Sequence, residues 1–339
     1  MTTAAPGDES ALLGQARAGS NAAFSTLFSS KRATLYRHSY RMLGSGTEAD
    51  DAVQDTLLRA WQRLGSFDGR GSFDGWLYRI ATNVCLDRLR GRRAKSHPVL
   101  IGPASDLGGS METGGADVEW VLPLGASTMA SSPEDSAIEA EHISFAFVVA
   151  LQRLPARQRA ALLLHDVLGF GPDEVATVLE ATPGAVNSLL HRARQTMDES
   201  PSVALADPDS PDVKALLERY IRAWQLADIA RFLETVSDDV RMSMPPLRNW
   251  FLGAADVAGF VGNAIFGPAA GVGVRMVVGR VNGQSAVATY QPTPDGTWGA
   301  SGLQVLDVDR HETLISSITS FLDPQIAISC GFPAELPAN

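Results

Sequence analysis

A Gly-, Ser- and Pro-rich acidic stretch at residues 94–138 divides this chain into parts that cannot share one continuous helical core. Residues 96–149 carry eight acidic side chains and no lysine or arginine, whereas residues 1–95 carry 14 basic and 9 acidic side chains. A chain of 339 residues is long enough for two or three domains, each with its own core. We therefore expect residues 94–138 to be a mobile linker that follows a locally basic N-terminal domain. Its apolar island VEWVLPL at 118–124 is unusual for a linker, because Trp120 and Leu122 favour burial, and the alternative for this island is docking on a flanking domain.

The net charge of −10 hides this segregation of charge. A basic module in an acidic chain is compatible with nucleic-acid binding, because binding depends on the electrostatic field at the binding face rather than on the net charge of the whole chain. The apolar run FAFVVAL at 145–151 is too short to cross a bilayer, and the N-terminus lacks the pattern of a secretory signal. Cys85 and Cys330 form no CxxC pair, which favours a reducing compartment without a structural zinc site. We predict a cytoplasmic protein with no cofactor, metal or membrane partner.

Residues 10–93 have helical character throughout. Gly44 should end one helix, and Thr47 is the expected N-cap of the next, because acidic residues follow it where the helix dipole favours anions. The apolar positions of that next helix form one stripe: Val53, Leu57, Ala60, Trp61 and Leu64. We expect the stripe to pack inward and the opposite side to face solvent or a partner.

The segment GWLYRIATNVCLDRLRGRR at 75–93 combines basic, aromatic and amide side chains on one expected helix. Its apolar positions Leu77, Ile80, Ala81 and Val84 gather on the side that should pack inward. A second stripe contains Trp76, Arg79, Asn83, Asp87 and Arg90. Arginines hold phosphates, tryptophan stacks on an unpaired base and asparagine bonds a base edge, so this stripe predicts contact with single-stranded nucleic acid. The alternative is a solvated charged face with Trp76 buried, and we expect Asp87 to orient its basic neighbours because a carboxylate repels phosphate.

Two short helices, PDEVATVLE and GAVNSLLHRARQTM, are joined by a three-residue turn and predict a helix-turn-helix. In the second helix, Val186, Leu190, Ala193 and Met197 share one face and should be core. The other side suits the major groove of DNA, with contact candidates Asn187, Ser188, His191, Arg192 and Arg194.

After a second linker at 200–211, two helices followed by several strands predict an α+β domain. Its candidates for lining a pocket, each of which is equally suited to an ordinary core position, are Trp224, Met244, Trp250, Tyr290 and Trp298. Its titratable residues Asp239, Asp256, Asp307, His311 and Asp323 show no spacing that would pair them, so no catalytic residue is assigned.

Residues 10–93 resemble region 2 of the extracytoplasmic-function group of sigma-70 family initiation factors, through AFSTLF, YRMLGS, ADDAVQDTLLRAW and FDGWLYRIATNVCLDRLR. Residues 139–199 resemble region 4, through ALQRLPARQRAALLLHDVLGFGPDEVATVLEATPGAVNSLLHRAR. The resemblance implies that region 2, a helical bundle, opens the −10 promoter element, and that region 4, a helix-turn-helix, reads the −35 element. It assigns the −10 contacts to Trp76, Arg79, Asn83 and Arg90. It further implies that core RNA polymerase is bound by Asp50, Asp51, Gln54, Asp55 and Leu58.

Residues 212–335 resemble the SnoaL-like, ketosteroid-isomerase-like fold, through LLERYIRAWQLADIARFLETVSDDVRMSMPP, WFLG, VNGQSAVATY and FLDPQIAISCGFP. This resemblance implies a cone-shaped α+β barrel that regulates the factor in cis. The expected architecture is therefore multidomain, with two all-α sigma domains followed by one α+β domain.

The leading hypothesis is a non-enzymatic initiation factor whose partners are core RNA polymerase and promoter DNA. A small ligand and an anti-sigma factor remain open as further partners. One alternative is a helix-turn-helix transcriptional activator, which transcription with core polymerase alone would distinguish. The other is a SnoaL-like enzyme fused to DNA-binding helices, which turnover of a polyketide or steroid-like substrate by residues 205–339 would identify.

Overall fold

The computed structural model describes residues 6–67, 69, 72–115, 118–125, 143–198, 205–267, 273–311 and 313–338. These residues form two compact units. The first contains the described residues of Met1–Ala94 and Val148–Pro201, and the second those of Lys95–Thr128, Ala137–Phe147 and Ser202–Asn339. In the described part of the chain, no helix is both long and apolar enough to span a membrane.

The described helices are α1 (Pro6–Arg17), α2 (Asn21–Leu43), α3 (Gly46–Arg63), α4 (Phe73–Leu89), α5 (Pro98–Ile101), α6 (Phe145–Gln152), α7 (Ala156–Leu162), α8 (Pro172–Leu179), α9 (Pro183–Asp198), α10 (Pro211–Leu226), α11 (Ile229–Leu233), α12 (Ala254–Phe260) and α13 (Pro324–Ser329). A 3-10 turn at Leu64–Ser66 follows α3, and π-helical turns at Leu163–Val167 and Val261–Phe266 follow α7 and α12. The strands are β1 (Val236–Ser243), β2 (Trp250–Leu252), β3 (Arg275–Val281), β4 (Gln284–Pro292), β5 (Trp298–Val308), β6 (Ile315–Phe321) and β7 (Glu335–Leu336).

The helix boundaries of the first unit follow from local capping. Gly44 ends α2 in the left-handed conformation, with φ of 68°, and its N–H donates to the Tyr40 carbonyl. The prediction of Thr47 as the next N-cap is wrong, because the extended residue is Ser45, whose hydroxyl accepts from the Glu48 N–H. Gly46 is therefore already helical.

The core of the first unit lies where the apolar periodicity places it. On α3, Val53 and Ala60 are buried, and Leu64 in the following 3-10 turn is buried as well. Leu57 and Trp61 are half-buried, and Trp61 packs on Phe24 at a ring distance of 5.0 Å. On α4, the four apolar positions expected to pack inward are all buried: Leu77, Ile80, Ala81 and Val84.

The second unit is built on one mixed sheet. Its strand order is β2-β1-β6-β5-β4-β3, with β7 paired to β5. The pairs are antiparallel except for β1 and β6, which run parallel. α10, α11 and α12 contribute to the same core as the inward side chains of β1, β5 and β6, and an aromatic cluster of Tyr220, Trp224, Phe232 and Phe266 lies within it.

For the described residues 95–125, which we call the interdomain segment, the expectation of a mobile linker is wrong. The alternative of docking, expected for the apolar island, agrees with the structure. The interdomain segment packs on the sheet unit: the Ser105 N–H donates to the Trp250 carbonyl, and the Gly114 N–H donates to the Pro246 carbonyl. Val121 and Leu124, in the apolar island VEWVLPL, are buried. Residues 126–138 of the predicted linker lie outside the described residues, as do 139–142, where helix was expected before α6. The physical reason for the packing is that burying the apolar island and pairing its backbone groups offset the entropy of ordering the segment.

Candidate nucleic-acid interface and polymerase-docking face

The side chains expected to bind polymerase share one exposed side of α3, which we call the docking face. Leu58 is 56% exposed and lies among polar side chains on this side of α3. The carboxylates around it are paired within the unit: Asp50 contacts Arg32 at 2.5 Å and accepts a hydrogen bond from Gln54 at 3.1 Å. The docking face is therefore a mixed-charge surface around one exposed leucine, rather than a bare acidic patch.

Arg88 links the docking face to α4. Its guanidinium lies 2.5 Å from Asp55 and 3.8 Å from Asp51. Asp87, also on α4, accepts from Arg59 of α3 at 3.0 Å and from Arg90 at 3.2 Å. Asp87 thus contacts basic neighbours, as predicted, and two sets of ion pairs join α3 to α4.

On α4, Trp76, Arg79 and Asn83 share one side, which we call the strand-opening face. Trp76 is half-buried, with its ring 5.5 Å from Phe67 and 5.7 Å from Phe73. This aromatic support fixes the indole and leaves part of it accessible. Arg79 is exposed and lies 3.6 Å from Glu180, while Asn83 is half-buried.

Arg90 does not continue this helical stripe, although the sequence pattern places it there. α4 ends at Leu89, and Arg90 is extended, with φ of −66° and ψ of 121°. Gly91 follows with φ of 75°, a left-handed conformation that ends the helix before residue 93. The side chain of Arg90 is 81% exposed and paired with Asp87.

α8 and α9 form the predicted helix-turn-helix. The turn is made by Glu180, left-handed at φ of 49°, and by Thr182, whose hydroxyl accepts from the Ala185 N–H at 3.2 Å. Val186, Leu190 and Ala193 are buried as expected, whereas Met197 is half-buried. The exposed side of α9 carries the DNA-contact candidates Asn187, Ser188, His191 and Arg192.

Arg194 is exposed but is held by the preceding π-helical turn. Its guanidinium makes a bidentate contact to Asp166, at 2.5 and 3.0 Å. This carboxylate raises the pKa of Arg194. The pairing distinguishes Arg194 from Arg192, although both were equal candidates by sequence.

The five candidate pocket residues occupy different surroundings. Trp224, on α10, and Met244, just after β1, belong to the buried core of the sheet unit. The Trp250 indole N–H donates to the Gly102 carbonyl at 2.9 Å, and the Tyr290 hydroxyl donates to the Pro333 carbonyl at 2.9 Å. Trp298 lies beneath the Arg275 guanidinium at 4.6 Å. These contacts account for the positions of Trp250, Tyr290 and Trp298, and the lining of a pocket by the five residues stays a prediction.

Asn282 is a binding hub for the interdomain segment that the sequence reasoning missed. It is fully buried, and its amide oxygen accepts from the Leu124 N–H while its amide nitrogen donates to the Ile143 carbonyl, both at 2.8 Å. The neighbouring Gln284 accepts from the Phe145 N–H at 2.8 Å. The Asn282-Gly283 pair, at φ of 52° and 72°, signals a β3–β4 hairpin by sequence, but its long-range partners are set only by the fold.

His97 is a second buried anchor of the segment. Its Nε2 lies 3.2 Å from the Ser243 hydroxyl and 3.3 Å from that of Thr319. Burial lowers the pKa of His97 to about 3, so the ring is neutral at physiological pH. A neutral ring between two hydroxyls holds the segment against β1 and β6 without a buried charge.

The sequence of this chain is similar to known protein families and to individual relatives. Residues 27–95 match the sigma-70 region 2 family, and residues 144–197 match the sigma-70 region 4 family. The ECF RNA polymerase sigma factor SigG of Mycobacterium tuberculosis is 39% identical over 313 residues, covering 90% of this chain and 82% of SigG. SigM of the same organism is 34% identical over 177 residues, covering 52% of this chain and 76% of SigM.

A solved structure extends the likeness to the fold of both units. The crystal structure of the extracytoplasmic function sigma factor SigJ of Mycobacterium tuberculosis matches with a TM-score of 0.58 at 20% identity, covering 91% of this chain and 99% of SigJ. The match covers helical regions and the sheet unit, as the multidomain prediction of two helical sigma domains followed by an α+β domain requires. SigG, SigM and SigJ are all extracytoplasmic-function sigma factors. By its two sigma-70 regions and its near full-length similarity to SigG, the chain belongs to the ECF RNA polymerase sigma factors.

Proposed function

We propose that this ECF sigma factor divides promoter recognition between α4 and α9. The strand-opening face of α4 holds one unpaired strand of the −10 element, because Trp76 offers a supported ring for base stacking and Arg79 a cation for phosphate. The exposed side of α9 reads the −35 duplex through Asn187, Ser188 and His191, with Arg192 on phosphate or a base edge. The observation that carries this division is the packing of Trp76 on Phe67 and Phe73, which holds an aromatic ring at the surface of α4 on the same side as Arg79.

The docking face on α3 is proposed to bind core RNA polymerase. Exposed Leu58 would be the apolar centre of that contact, and the surrounding carboxylates would exchange their internal arginine partners for basic groups of the polymerase. Because these pairs are exposed, breaking them costs little. The site of action is accordingly proposed to be the cytoplasm, where polymerase transcribes.

We further propose that the sheet unit modulates initiation by holding the interdomain segment. That segment lies between the two promoter-reading modules in the chain. Asn282 binds Leu124 at the end of the segment and also Ile143, which follows the stretch 126–142. If released, residues 95–125 could extend by up to about 100 Å at ~3.4 Å per residue. Retention on the sheet therefore restricts the chain available to span the promoter. A small ligand or an anti-sigma factor that altered this retention would change promoter use.

Transcription with purified core polymerase tests the proposed role of the strand-opening face in opening the −10 element. Wild-type chain should initiate from a cognate promoter, and the Trp76→Ala, Asn83→Ala double variant should bind polymerase normally but fail to open the −10 region, measured by permanganate reactivity of unpaired thymines. Trp61→Ala is the matched control, since Trp61 is a half-buried tryptophan of the same module that packs on Phe24. Normal opening by the double variant, or equal loss in the control, refutes the role of the strand-opening face.

A further inference from the structure

Arg194 lies on the same side of α9 as two residues proposed to read the −35 duplex. It follows Asn187 by seven positions and His191 by three, and residues at these spacings are neighbours along one side of an α-helix. All three side chains are exposed. A helix in the major groove presents side chains to the bases at such spacings, so Arg194 is placed to reach DNA about one turn beyond His191.

Asp166 holds the Arg194 guanidinium by one edge only. The Asp166 Oδ2 atom accepts from Arg194 Nε at 3.0 Å, and its Oδ1 atom accepts from Nη2 at 2.5 Å. The planar guanidinium has a second edge, made of one N–H from Nη1 and one from Nη2, which faces away from a carboxylate bound in this way. In the part of the chain that the structure describes, Nη1 has no hydrogen-bond partner. The second edge is therefore open to an acceptor from outside the protein.

The carboxylate belongs to the π-helical turn Leu163–Val167, and π-helical turns are frequent at functional sites. His165 Nδ1 lies 2.7 Å from the Phe170 carbonyl and donates to it, which ties this turn to the start of the helix-turn-helix. The Asp166 side chain is 31% exposed and that of Arg194 is 51% exposed. The pair is thus at the surface, with the guanidinium as its more accessible member.

The charge of the pair favours a base edge over a phosphate. Asp166 neutralises Arg194, and its carboxylate repels a phosphate that approaches the same place. Guanine presents two neutral acceptors, O6 and N7, side by side in the major groove, and the arginine fork matches them bidentately. Arg192 provides the contrast, because among the described residues its guanidinium has no ion pair and its full charge is available to a phosphate.

We propose that Asp166 and Arg194 together read one guanine of the −35 element. Arg194 donates from its open edge to O6 and N7, and Asp166 is the positioning residue that holds the guanidinium in that orientation. This inference rests on the proposed role of α9 in reading the −35 duplex. Fixing the guanidinium before DNA binds reduces the side-chain entropy lost on contact, and neutralising it avoids a sequence-independent attraction to phosphate.

Binding of the holoenzyme to fluorescently labelled promoter fragments tests the guanine contact. Each guanine of the −35 element, on either strand, is replaced in turn by 7-deazaguanine, which lacks the N7 acceptor but keeps the base pair. At one guanine we expect the wild-type affinity to fall by about threefold to tenfold, a part of what a bidentate contact discriminates. This penalty should vanish in Arg194→Ala, and also in Arg194→Lys, which keeps the charge but lacks the fork.

The same probes test the positioning role of Asp166. Asp166→Ala frees the guanidinium, so the penalty at that guanine should disappear. The slope of log affinity against log salt should steepen by about 0.9, because the freed cation can bind a phosphate. Asp166→Glu supplies a carboxylate again and should restore both the penalty and the slope, a rescue that a purely structural role does not predict. Arg192→Ala is the matched control, since it should lower the slope and leave the guanine penalty at its wild-type size.

Three outcomes separate this inference from the proposed function. If no 7-deazaguanine penalty depends on Arg194, the guanine contact is refuted. If the penalty persists unchanged in Asp166→Ala, the positioning role of Asp166 is refuted. In both cases the proposed reading of the duplex by α9 stands as long as base-pair substitutions in the −35 element weaken wild-type binding, and it fails as well if none of them does.

Discussion

Replacing Asn282 tests how the sheet unit retains the interdomain segment. Asn282→Gly removes both side-chain hydrogen bonds, to the Leu124 N–H and the Ile143 carbonyl, but keeps the backbone bond from the Asn282 N–H to the Leu124 carbonyl. Glycine tolerates the native φ of 52°, so no backbone strain is introduced. The measured effect should therefore come from the lost amide.

The expected loss of stability of the docked segment follows from two buried backbone groups, the Leu124 N–H and the Ile143 carbonyl, that lose their side-chain partner. Each unsatisfied buried group costs about 1–3 kcal/mol, so the docked segment should lose about 2–6 kcal/mol, with the lower half favoured if water enters. A loss of about 2.7 kcal/mol accelerates exchange by roughly a hundredfold, since about 1.4 kcal/mol is tenfold.

Hydrogen exchange of the Leu124 amide, followed by mass spectrometry or NMR, measures that loss directly. Ala227→Gly is the matched control, because Ala227 is also left-handed, at φ of 50°, in the same unit. If the Leu124 amide in Asn282→Gly is protected from exchange as strongly as in the wild type, the Asn282 side chain does not retain the segment. In transcription, we expect the variant to accept a wider range of distances between the −10 and −35 elements than the wild type.

Further variants probe other sites. Leu58→Arg should weaken binding to core polymerase at least tenfold without lowering thermal stability, because the side chain is already exposed. Arg192→Ala should reduce the slope of log affinity against log salt for the −35 duplex by about 0.9, whereas Arg194→Ala should change it less because Asp166 already holds that guanidinium. Asp307 is half-buried near Arg241, and burial raises its pKa to about 6, above the unfolded value of 3.8. Folding therefore favours the protonated form of Asp307. The contribution of this group to the free energy of unfolding is fully present below pH 3.8 and is lost as the pH rises through 6. Asp307→Asn should stabilise the sheet unit at pH 8 by up to about 3 kcal/mol and by much less at pH 4, measured by urea unfolding at both values.

The fold of the two sigma regions could be predicted from local sequence because their signals are local. The 3.6-residue apolar period placed Leu77, Ile80, Ala81 and Val84 in the core. Glycine at a left-handed C-terminal position marked the end of α2 at Gly44. The periodicity failed at Arg90, because it carries no information about where a helix stops, and Gly91 ends α4 earlier than residue 93.

Candidate site residues were found by type and spacing, but their partners were not. Arg192 and Arg194 were equivalent by sequence, and only the fold brings Asp166 to Arg194, from 28 residues away. Similarly, composition marked residues 94–138 as a linker, while the buried Asn282 and His97 show that its described part is held by the sheet.

The sequence by itself determined the helical regions, their order, the exposed polar side of α9 and the α+β character of the C-terminal unit, since periodicity, caps and turn residues act over a few positions. Only the tertiary structure decided that Phe170 packs on Tyr78 of α4 and that one asparagine binds both Leu124 and Ile143. Those contacts join residues that are 92 positions apart for Phe170 and Tyr78, 158 for Asn282 and Leu124, and 139 for Asn282 and Ile143. Pairing at such separations depends on how packed elements meet in space, and no local pattern in the chain encodes it.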